Sequence, residues 1–163
     1  AVGKLSGIPA DWVDQLSREF PDTIFLVEGD GSAGRSVKGH LSYEPVIPAC
    51  TSLLIPIVGL DILGKAMNAE NVHRPEVFGE ITGVTPGDPI DTAAIIAILL
   101  HAKGYLQQAP KASTIIPFLN KMETFPLWRA GFALAQQLLT AKHPQINSIL
   151  AGSVHHDCFV SFS

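Results

Sequence analysis

Short apolar runs that alternate with helical patterns constrain the fold of this chain more than any other feature. Residues 23–27 form a continuous run of β-forming residues bounded by turn residues. Similar runs cover residues 53–58, 115–119, 146–150 and 158–162. Unbroken apolar runs of this length are typical of strands buried on both faces of a parallel sheet. We therefore predict five strands, although Pro56 and Pro117 fit poorly with central positions in a sheet.

Helical patterns with clear ends lie between these runs. They cover about residues 9–20, 75–81, 91–103 and 124–143. Asp91 and Thr124 suit helix N-caps, and Gly83 and Gly104 suit the positions just after a helix end. Alternating strands and helices predict an α/β fold with helices on both faces of a sheet. Such folds bind ligands at the carboxyl ends of their strands.

The composition limits the classes of partner. We expect a single α/β domain over residues 1–163. Because 47% of the residues are hydrophobic and the mean hydropathy is +0.27, we also expect part of the apolar surface to contact a partner. A net charge of −4 argues against binding nucleic acid or an anionic membrane. No apolar run is long enough to span a bilayer, so we expect a cytoplasmic protein. Cys50 and Cys158 are expected to be buried thiols.

An acidic, glycine-rich turn directly follows the first predicted strand. Glu28 and Asp30 should leave that strand on the same side and form a candidate catalytic pair, with Asp30 as a ligand for Mg²⁺. Candidate donors to a nucleotide phosphate follow at Gly31, Ser32, Gly34, Arg35 and Lys38. Carboxylates beside such donors suit magnesium and a polyphosphate. The alternative is an ordinary turn in which Asp30 and Ser32 satisfy nearby amides.

Two further segments are candidates for ligand contacts. Asn120, Lys121 and Glu123 follow the third predicted strand as Asn-Lys-Met-Glu, where guanine-nucleotide-binding proteins carry Asn-Lys-x-Asp to recognise the base. Glutamate at the fourth position makes guanine selectivity doubtful, and a helix start is the alternative interpretation. His73 and Arg74 directly precede a helix and could contact an anion, but ordinary helix capping is the favoured interpretation of this pair.

No Gly-x-x-x-x-Gly-Lys-[Ser/Thr] phosphate loop occurs in the chain. This loop cradles the β- and γ-phosphates in nucleotide hydrolases of the P-loop class. We therefore do not expect this chain alone to hydrolyse nucleotides.

Five segments in a fixed order together resemble the YqeC family. They are residues 27–38, 44–48, 58–65, 73–76 and 119–121. The resemblance implies a P-loop-NTPase-like (GTPase-like) three-layer α/β fold and an accessory role for selenium-dependent molybdenum hydroxylases. The family normally has Ala at Gly29, Asp at Glu123, and a strand with a Gly-Ala-Gly-Gly-Lys-Thr loop that would precede Ala1. Two interpretations stay open: a piece of a longer P-loop protein, or a naturally shortened relative.

Three functions remain to be separated. The first is a maturation factor for the hydroxylase with a partial site for Mg²⁺ and a purine nucleotide, GTP or ATP. The second is a non-hydrolytic scaffold or carrier that holds an anionic cofactor, such as a pterin phosphate, through Arg35, Lys38 and Arg74. The third is an acid–base enzyme built on Glu28 and Asp30. The resemblance also implies an exposed sheet edge, so we expect a homo-oligomer, with the hydroxylase apoenzyme or its cofactor pathway as partner.

Overall fold

The computed structural model describes residues 7–163, so the first six residues of the predicted domain lie outside it. The helices are α1 (Ala10–Glu19), α2 (Pro75–Thr82), α3 (Thr92–Leu100) and α4 (Phe125–Thr140). The strands are β1 (Val37–Lys38), β2 (Leu53–Leu54), β3 (Ile57–Gly59), β4 (Val72–His73), β5 (Thr114–Ile115), β6 (Phe118–Asn120), β7 (Ile149–Ser153) and β8 (Cys158–Phe162). A 3-10 turn (Leu60–Ile62) follows β3.

The main sheet has the order β3-β6-β7-β8, in which only the β7–β8 pair is antiparallel. Two smaller parallel pairs join β2 to β5 and β1 to β4. The chain is therefore an α/β protein with parallel sheets, as predicted. Pro56 and Pro117 divide two of the predicted strands, yet Phe118 N–H still donates to the Pro56 carbonyl at 2.8 Å, so each strand continues past its proline.

The predicted buried strand at residues 23–27 is wrong. The segment has no strand pairing, and the side chains of Ile24 and Leu26 are 87% and 95% exposed. An apolar run becomes a buried strand only when a neighbouring strand accepts its peptide groups, and no strand in the described part of the chain does so. Residues 28–35 therefore do not extend from the edge of a sheet as expected.

Most other predicted boundaries hold to within a few residues. The Asp91 carboxylate accepts a hydrogen bond of 2.8 Å from Ala94 N–H and caps α3 as predicted. Gly83 takes the left-handed conformation after α2, with φ of 76°. The strand expected from residue 146 begins at Ile149, although Ile146 makes an isolated bridge.

The helices pack as a connected layer. Helix α4 packs on β7, α3 packs on α4, and α2 packs on α3. By contrast, the side chains of Leu53, Ile55 and Ile57 are each about half exposed, so this face of the sheet is only partly covered. None of the helices between residues 7 and 163 has the length and hydrophobicity needed to span a membrane.

Both cysteines differ from the expected buried thiols, since Cys50 and Cys158 are exposed. Cys50 lies just before β2, where its N–H donates to the Asp14 carboxylate of α1 at 2.8 Å. Cys158 begins β8 at the edge of the main sheet. Small apolar residues at turns and sheet edges stay accessible, whatever their average preference for the interior.

Candidate functional site

Asp30, the carboxylate predicted to bind Mg²⁺, is paired with a lysine inside the chain. Both of its oxygens accept hydrogen bonds from Lys38 Nζ at 2.6 Å, and His40 Nε2 lies 3.2 Å from Oδ2. The Lys38 side chain is only 4% exposed. A buried ammonium needs a partner of opposite charge, and Asp30 supplies it.

Glu44 and Arg74 extend this pair into a larger charge network. Glu44 Oε2 lies 3.2 Å from Lys38 Nζ, and both Glu44 oxygens accept hydrogen bonds from the Arg74 guanidinium. Burial alone would raise the pKa of Glu44, but the hydrogen bonds from Arg74 and Lys38 outweigh it and lower the pKa to about 2. We call the group the acidic-turn cluster; its members are Asp30, Lys38, His40, Glu44 and Arg74.

The remaining predicted phosphate donors of the turn are also used within the chain. Arg35 donates to the Ala33 carbonyl at 2.9 Å and to the Ala69 carbonyl at 3.0 and 3.2 Å. The Ser32 hydroxyl donates to the Arg35 carbonyl at 2.5 Å. Gly34 has a φ of 80°, a left-handed conformation that a glycine adopts without strain. The polar groups of the turn are therefore satisfied within the chain, but Asp30 binds Lys38 and Ser32 binds the Arg35 carbonyl rather than the amides expected in the alternative interpretation.

Other predicted residues lie at the margin of this cluster. Glu28 is exposed and makes no hydrogen bond or ion pair with another residue between positions 7 and 163. His73 ends β4, and burial, followed by the charge of Arg74, lowers its pKa. Arg74 is the N-cap residue of α2 and has a φ of 56°, but its side chain turns to Glu44. The structure thus brings Asp30, Lys38 and Arg74 together and leaves Glu28 outside.

A second charged cluster lies at the carboxyl ends of β3 and β6. The Ser36 hydroxyl donates to Asp61 Oδ1 at 2.5 Å and accepts from Lys121 Nζ at 2.8 Å. Lys121 Nζ lies 3.5 Å from Asp61 Oδ1, and Lys65 Nζ lies 3.2 Å from Oδ2. We call Ser36, Asp61, Lys65 and Lys121 the strand-edge cluster.

The backbone of β3 allows this close approach. Gly59 N–H donates to the Ser36 carbonyl at 2.9 Å. A Cβ atom on Gly59 would lie 2.7 Å from Ser36 Oγ and 2.8 Å from Asp61 Oδ1. Glycine is therefore required for these two side chains to meet.

Nearby charges and burial shift the pKa of Asp61 in opposite directions. Burial raises the pKa of its carboxyl group, while hydrogen bonds from Ser36 and Lys65 and the charge of Lys121 lower it more. Asp61 thus stays ionised at neutral pH. Unlike Lys38, the side chains of Lys65 and Lys121 are 47% and 41% exposed, so this cluster is open to solvent.

The other residues of the Asn-Lys-Met-Glu segment contact the loop between β7 and β8. Asn120 Oδ1 accepts a hydrogen bond from Val154 N–H at 3.1 Å, and Glu123 Oε1 accepts one from the Ser153 hydroxyl at 3.4 Å. The Met122 N–H donates to the Gly152 carbonyl at 3.0 Å. This segment therefore lies beside residues 152 and 153 at the end of β7.

Three members of the strand-edge cluster were not among the residues singled out from the sequence: Ser36, Asp61 and Lys65. Asp61 closely follows an apolar run, as the acidic turn follows residues 23–27. A carboxylate in that position is a sequence signal that could have identified Asp61 as a site residue. Lys65 lies four residues beyond Asp61. Ser36 had no such signal, because only the fold brings it to Gly59.

The strand-edge cluster combines the features of a site for an anionic ligand. Two lysines face one aspartate, so an excess of positive charge lies at the ligand-binding edge of a parallel sheet. Its solvent-facing ammonium groups can change partners without leaving a buried charge unpaired. In the acidic-turn cluster, the same exchange would leave the Lys38 ammonium group buried without a partner of opposite charge.

Comparisons with known proteins find similarity to one family. A family model described as YqeC protein matches residues 1–76. The protein printed as "Uncharacterized protein YqeC" from Escherichia coli (strain K12) is 28% identical over 152 residues, which is 93% of this chain. The chain spans 58% of the length of that relative. No solved structure matches the chain. One match contains the acidic turn and the other extends over nearly all of the sequence, so the chain is similar to the YqeC family along most of its length.

Proposed function

We propose that this chain contributes the base-binding and cation-binding parts of a purine-nucleotide site, at the carboxyl ends of β3, β6 and β7. The nucleotide would be GTP or ATP bound with Mg²⁺. The parallel order β3-β6-β7 is compatible with a P-loop-NTPase-like, GTPase-like fold, which is part of the proposal. In such a fold the ligand lies across the ends of neighbouring strands.

One observation carries the proposal: a single segment, residues 120–123, connects two halves of the proposed ligand surface. Asn120 and Glu123 contact the β7–β8 loop, whereas Lys121 between them reaches Ser36 and Asp61 on the opposite side. A ligand with a polar base at one end and phosphates at the other would match this arrangement. The Glu123 carboxylate can only accept hydrogen bonds, as suits the N–H groups at the edge of a purine.

In this proposal the nucleotide phosphates are contacted by Lys65 and Lys121 of the strand-edge cluster rather than by residues of the acidic turn. Lys65 and Lys121 are half exposed and balanced by a single carboxylate, Asp61. Lys38, by contrast, is only 4% exposed beside Asp30, and Arg35 donates to two backbone carbonyls. The acidic-turn cluster then has a structural function: it fixes residues 28–38 beside β4 and α2.

The accessory role in maturation of a selenium-dependent molybdenum hydroxylase rests on the YqeC resemblance. Nucleotide binding would regulate the contact with the apoenzyme or with its cofactor pathway. The competing scaffold hypothesis needs Arg35, Lys38 and Arg74 to hold an anionic cofactor, and all three have partners within the chain. No geometric observation favours that hypothesis, or the acid–base enzyme on Glu28 and Asp30.

Isothermal titration calorimetry tests nucleotide binding directly. We expect saturable binding of GTP or ATP that requires Mg²⁺ and weakens about tenfold in Glu123→Ala, as expected for loss of a charge-assisted hydrogen bond. Asp22→Asn, in an exposed turn outside the site, is the control and should bind as the unmodified chain does. Equal affinity in the Glu123→Ala and unmodified proteins would exclude the proposed base contact.

A further inference from the structure

The position of the Lys121 ammonium group identifies a cation site. Lys121 Nζ lies 2.8 Å from Ser36 Oγ and 3.5 Å from Asp61 Oδ1, so it is placed between a hydroxyl and a carboxylate oxygen. The two oxygens are 2.5 Å apart. A positive group is therefore already held where two oxygen ligands converge.

We propose that Ser36 and Asp61 bind a divalent cation, Mg²⁺, and that Lys121 occupies this position until the cation displaces it. The inference rests on the proposed nucleotide site and names the residues that hold its metal. Once displaced, the Lys121 ammonium group is free to face the phosphates. Mg²⁺ prefers oxygen ligands and is commonly bound by one or two protein side chains, with water and phosphate completing its coordination.

The exchange is possible here because the lysine is accessible. The Lys121 side chain is 41% exposed, so its ammonium group can move into water without a large desolvation cost. Lys65 remains on the other carboxylate oxygen of Asp61, at 3.2 Å. The cation would therefore share Asp61 with one lysine rather than two.

Asp30, the carboxylate expected to bind the metal, lacks this freedom. Both Asp30 oxygens lie 2.6 Å from Lys38 Nζ, and the Lys38 side chain is only 4% exposed. A cation at Asp30 would leave the Lys38 ammonium group buried against it. Two positive charges at that distance in the interior repel strongly.

The small ligand set fits a hydrated metal rather than a protein cage. Within residues 7–163, no group of three or more His, Cys, Asp or Glu side chains is placed to hold a metal ion. One carboxylate and one hydroxyl instead leave most coordination positions to water and phosphate. This is typical of Mg²⁺ sites that operate together with a nucleotide.

Mn²⁺, a paramagnetic substitute for Mg²⁺, tests the site by electron paramagnetic resonance without nucleotide. We expect Asp61→Asn to weaken Mn²⁺ binding at least about tenfold, because the variant removes the only carboxylate ligand. Ser36→Ala should weaken it less. Lys121→Ala should tighten it several-fold, since the competing ammonium group is gone, while the exposed-lysine control Lys111→Ala should leave it unchanged.

Tighter binding in Lys121→Ala is the distinguishing result, because general misfolding cannot produce it. Weaker binding in Lys121→Ala, or binding that survives Asp61→Asn and disappears in Asp30→Asn, would overturn the inference. Calorimetry with nucleotide separates the two proposals. Metal binding with this variant pattern but without nucleotide binding would support the cation site and refute the nucleotide function. Mg²⁺-dependent nucleotide binding that Asp61→Asn leaves intact would support the nucleotide function and refute the cation site.

Discussion

His40 is a buried titratable residue of the acidic-turn cluster. Its side chain is 5% exposed, its Nδ1 has no partner among the described residues, and its Nε2 faces Asp30. Burial lowers the pKa of His40 to about 4, although the Asp30 charge acts in the opposite direction. The fold therefore favours neutral His40 in the acidic-turn cluster.

Acidification should destabilise the protein through His40. The pKa is about 4 in the folded state and 6.5 ordinarily, so this contribution to stability is complete above pH 6.5 and is lost as the pH falls toward 4. The loss amounts to roughly 3 kcal/mol at most. Urea denaturation at several pH values measures it, and His40→Gln should have a shallower slope between pH 6.5 and 4 than the exposed control His155→Gln.

An equally steep slope in both variants would contradict the assignment to His40. Glu44 acts at lower pH, because its pKa of about 2 lies below the ordinary 4.5. Its contribution is present above pH 4.5 and is lost as the pH falls toward 2. The two residues therefore affect separable pH ranges.

Gly59 makes a second prediction at the scale of one residue. Gly59→Ala places a methyl group within 2.8 Å of both Ser36 and Asp61, so we expect a loss of about 1–3 kcal/mol from steric overlap. In the control Gly31→Ala, the nearest atom to the new Cβ would be Glu28 Oε1 at 3.7 Å, an ordinary contact. Comparable unfolding free energies of the two variants in urea would show that Gly59 does not hold the strand-edge cluster.

At the scale of elements, the sequence predicts most helices and strands in the right order, but it misplaces the first strand and does not predict β1 or β4. Hydrophobic periodicity, Asp91 and Gly83 identify α2 and α3 because those signals are local. Strand pairing is not local: residues 23–27 have suitable composition but no neighbouring strand among residues 7–163. A single sequence carries no information about which strands become neighbours.

The non-local nature of packing also explains which contacts of the candidate site the sequence did not predict. Residues 120–123 were found because they are contiguous and follow a strand, and their proximity to Ser153 follows from parallel strand order. Lys121 meets Ser36 and Asp61, and Arg74 meets Glu44, although these partners lie far apart along the chain. Which lysine meets which carboxylate depends on the packed fold.

Equivalent leucine truncations test the position of residues 23–27. At a concentration where the chain is monomeric, Leu26→Ala should cost less than about 0.5 kcal/mol, because Leu26 is 95% exposed. Leu119→Ala, at a fully buried position in β6, should cost about 2–5 kcal/mol. Similar costs by urea denaturation would mean that the segment is buried after all.

At the scale of the whole molecule, two apolar strand-like surfaces lack a neighbouring strand among residues 7–163. The Pro56 carbonyl accepts a hydrogen bond from β6. Because peptide groups alternate in direction along a strand, those of Ile55 and Ile57 point to the opposite, open edge of the sheet. Their side chains are about half exposed, and residues 23–27 are more exposed still. Uncharged open edges promote pairing with another chain.

We therefore predict that the chain self-associates through this edge. Multi-angle light scattering at micromolar concentration should give a mass above that of the 17.4 kDa monomer. Ile55→Lys should lower it, because a charge at an open strand opposes pairing. The control Val154→Lys, in the exposed β7–β8 turn, should not. A monomeric mass for the unmodified chain would refute the prediction.

The location of the nucleotide site is the central claim, and hydrogen–deuterium exchange with and without Mg²⁺ and nucleotide tests it most directly. Bound nucleotide should slow amide exchange in residues 59–65, 120–124 and 152–156, which carry the strand-edge cluster and the proposed base contacts. Residues 28–35 should change little, since their polar groups are already satisfied within the turn. Protection confined to residues 28–35, or no protection at all, would contradict the account.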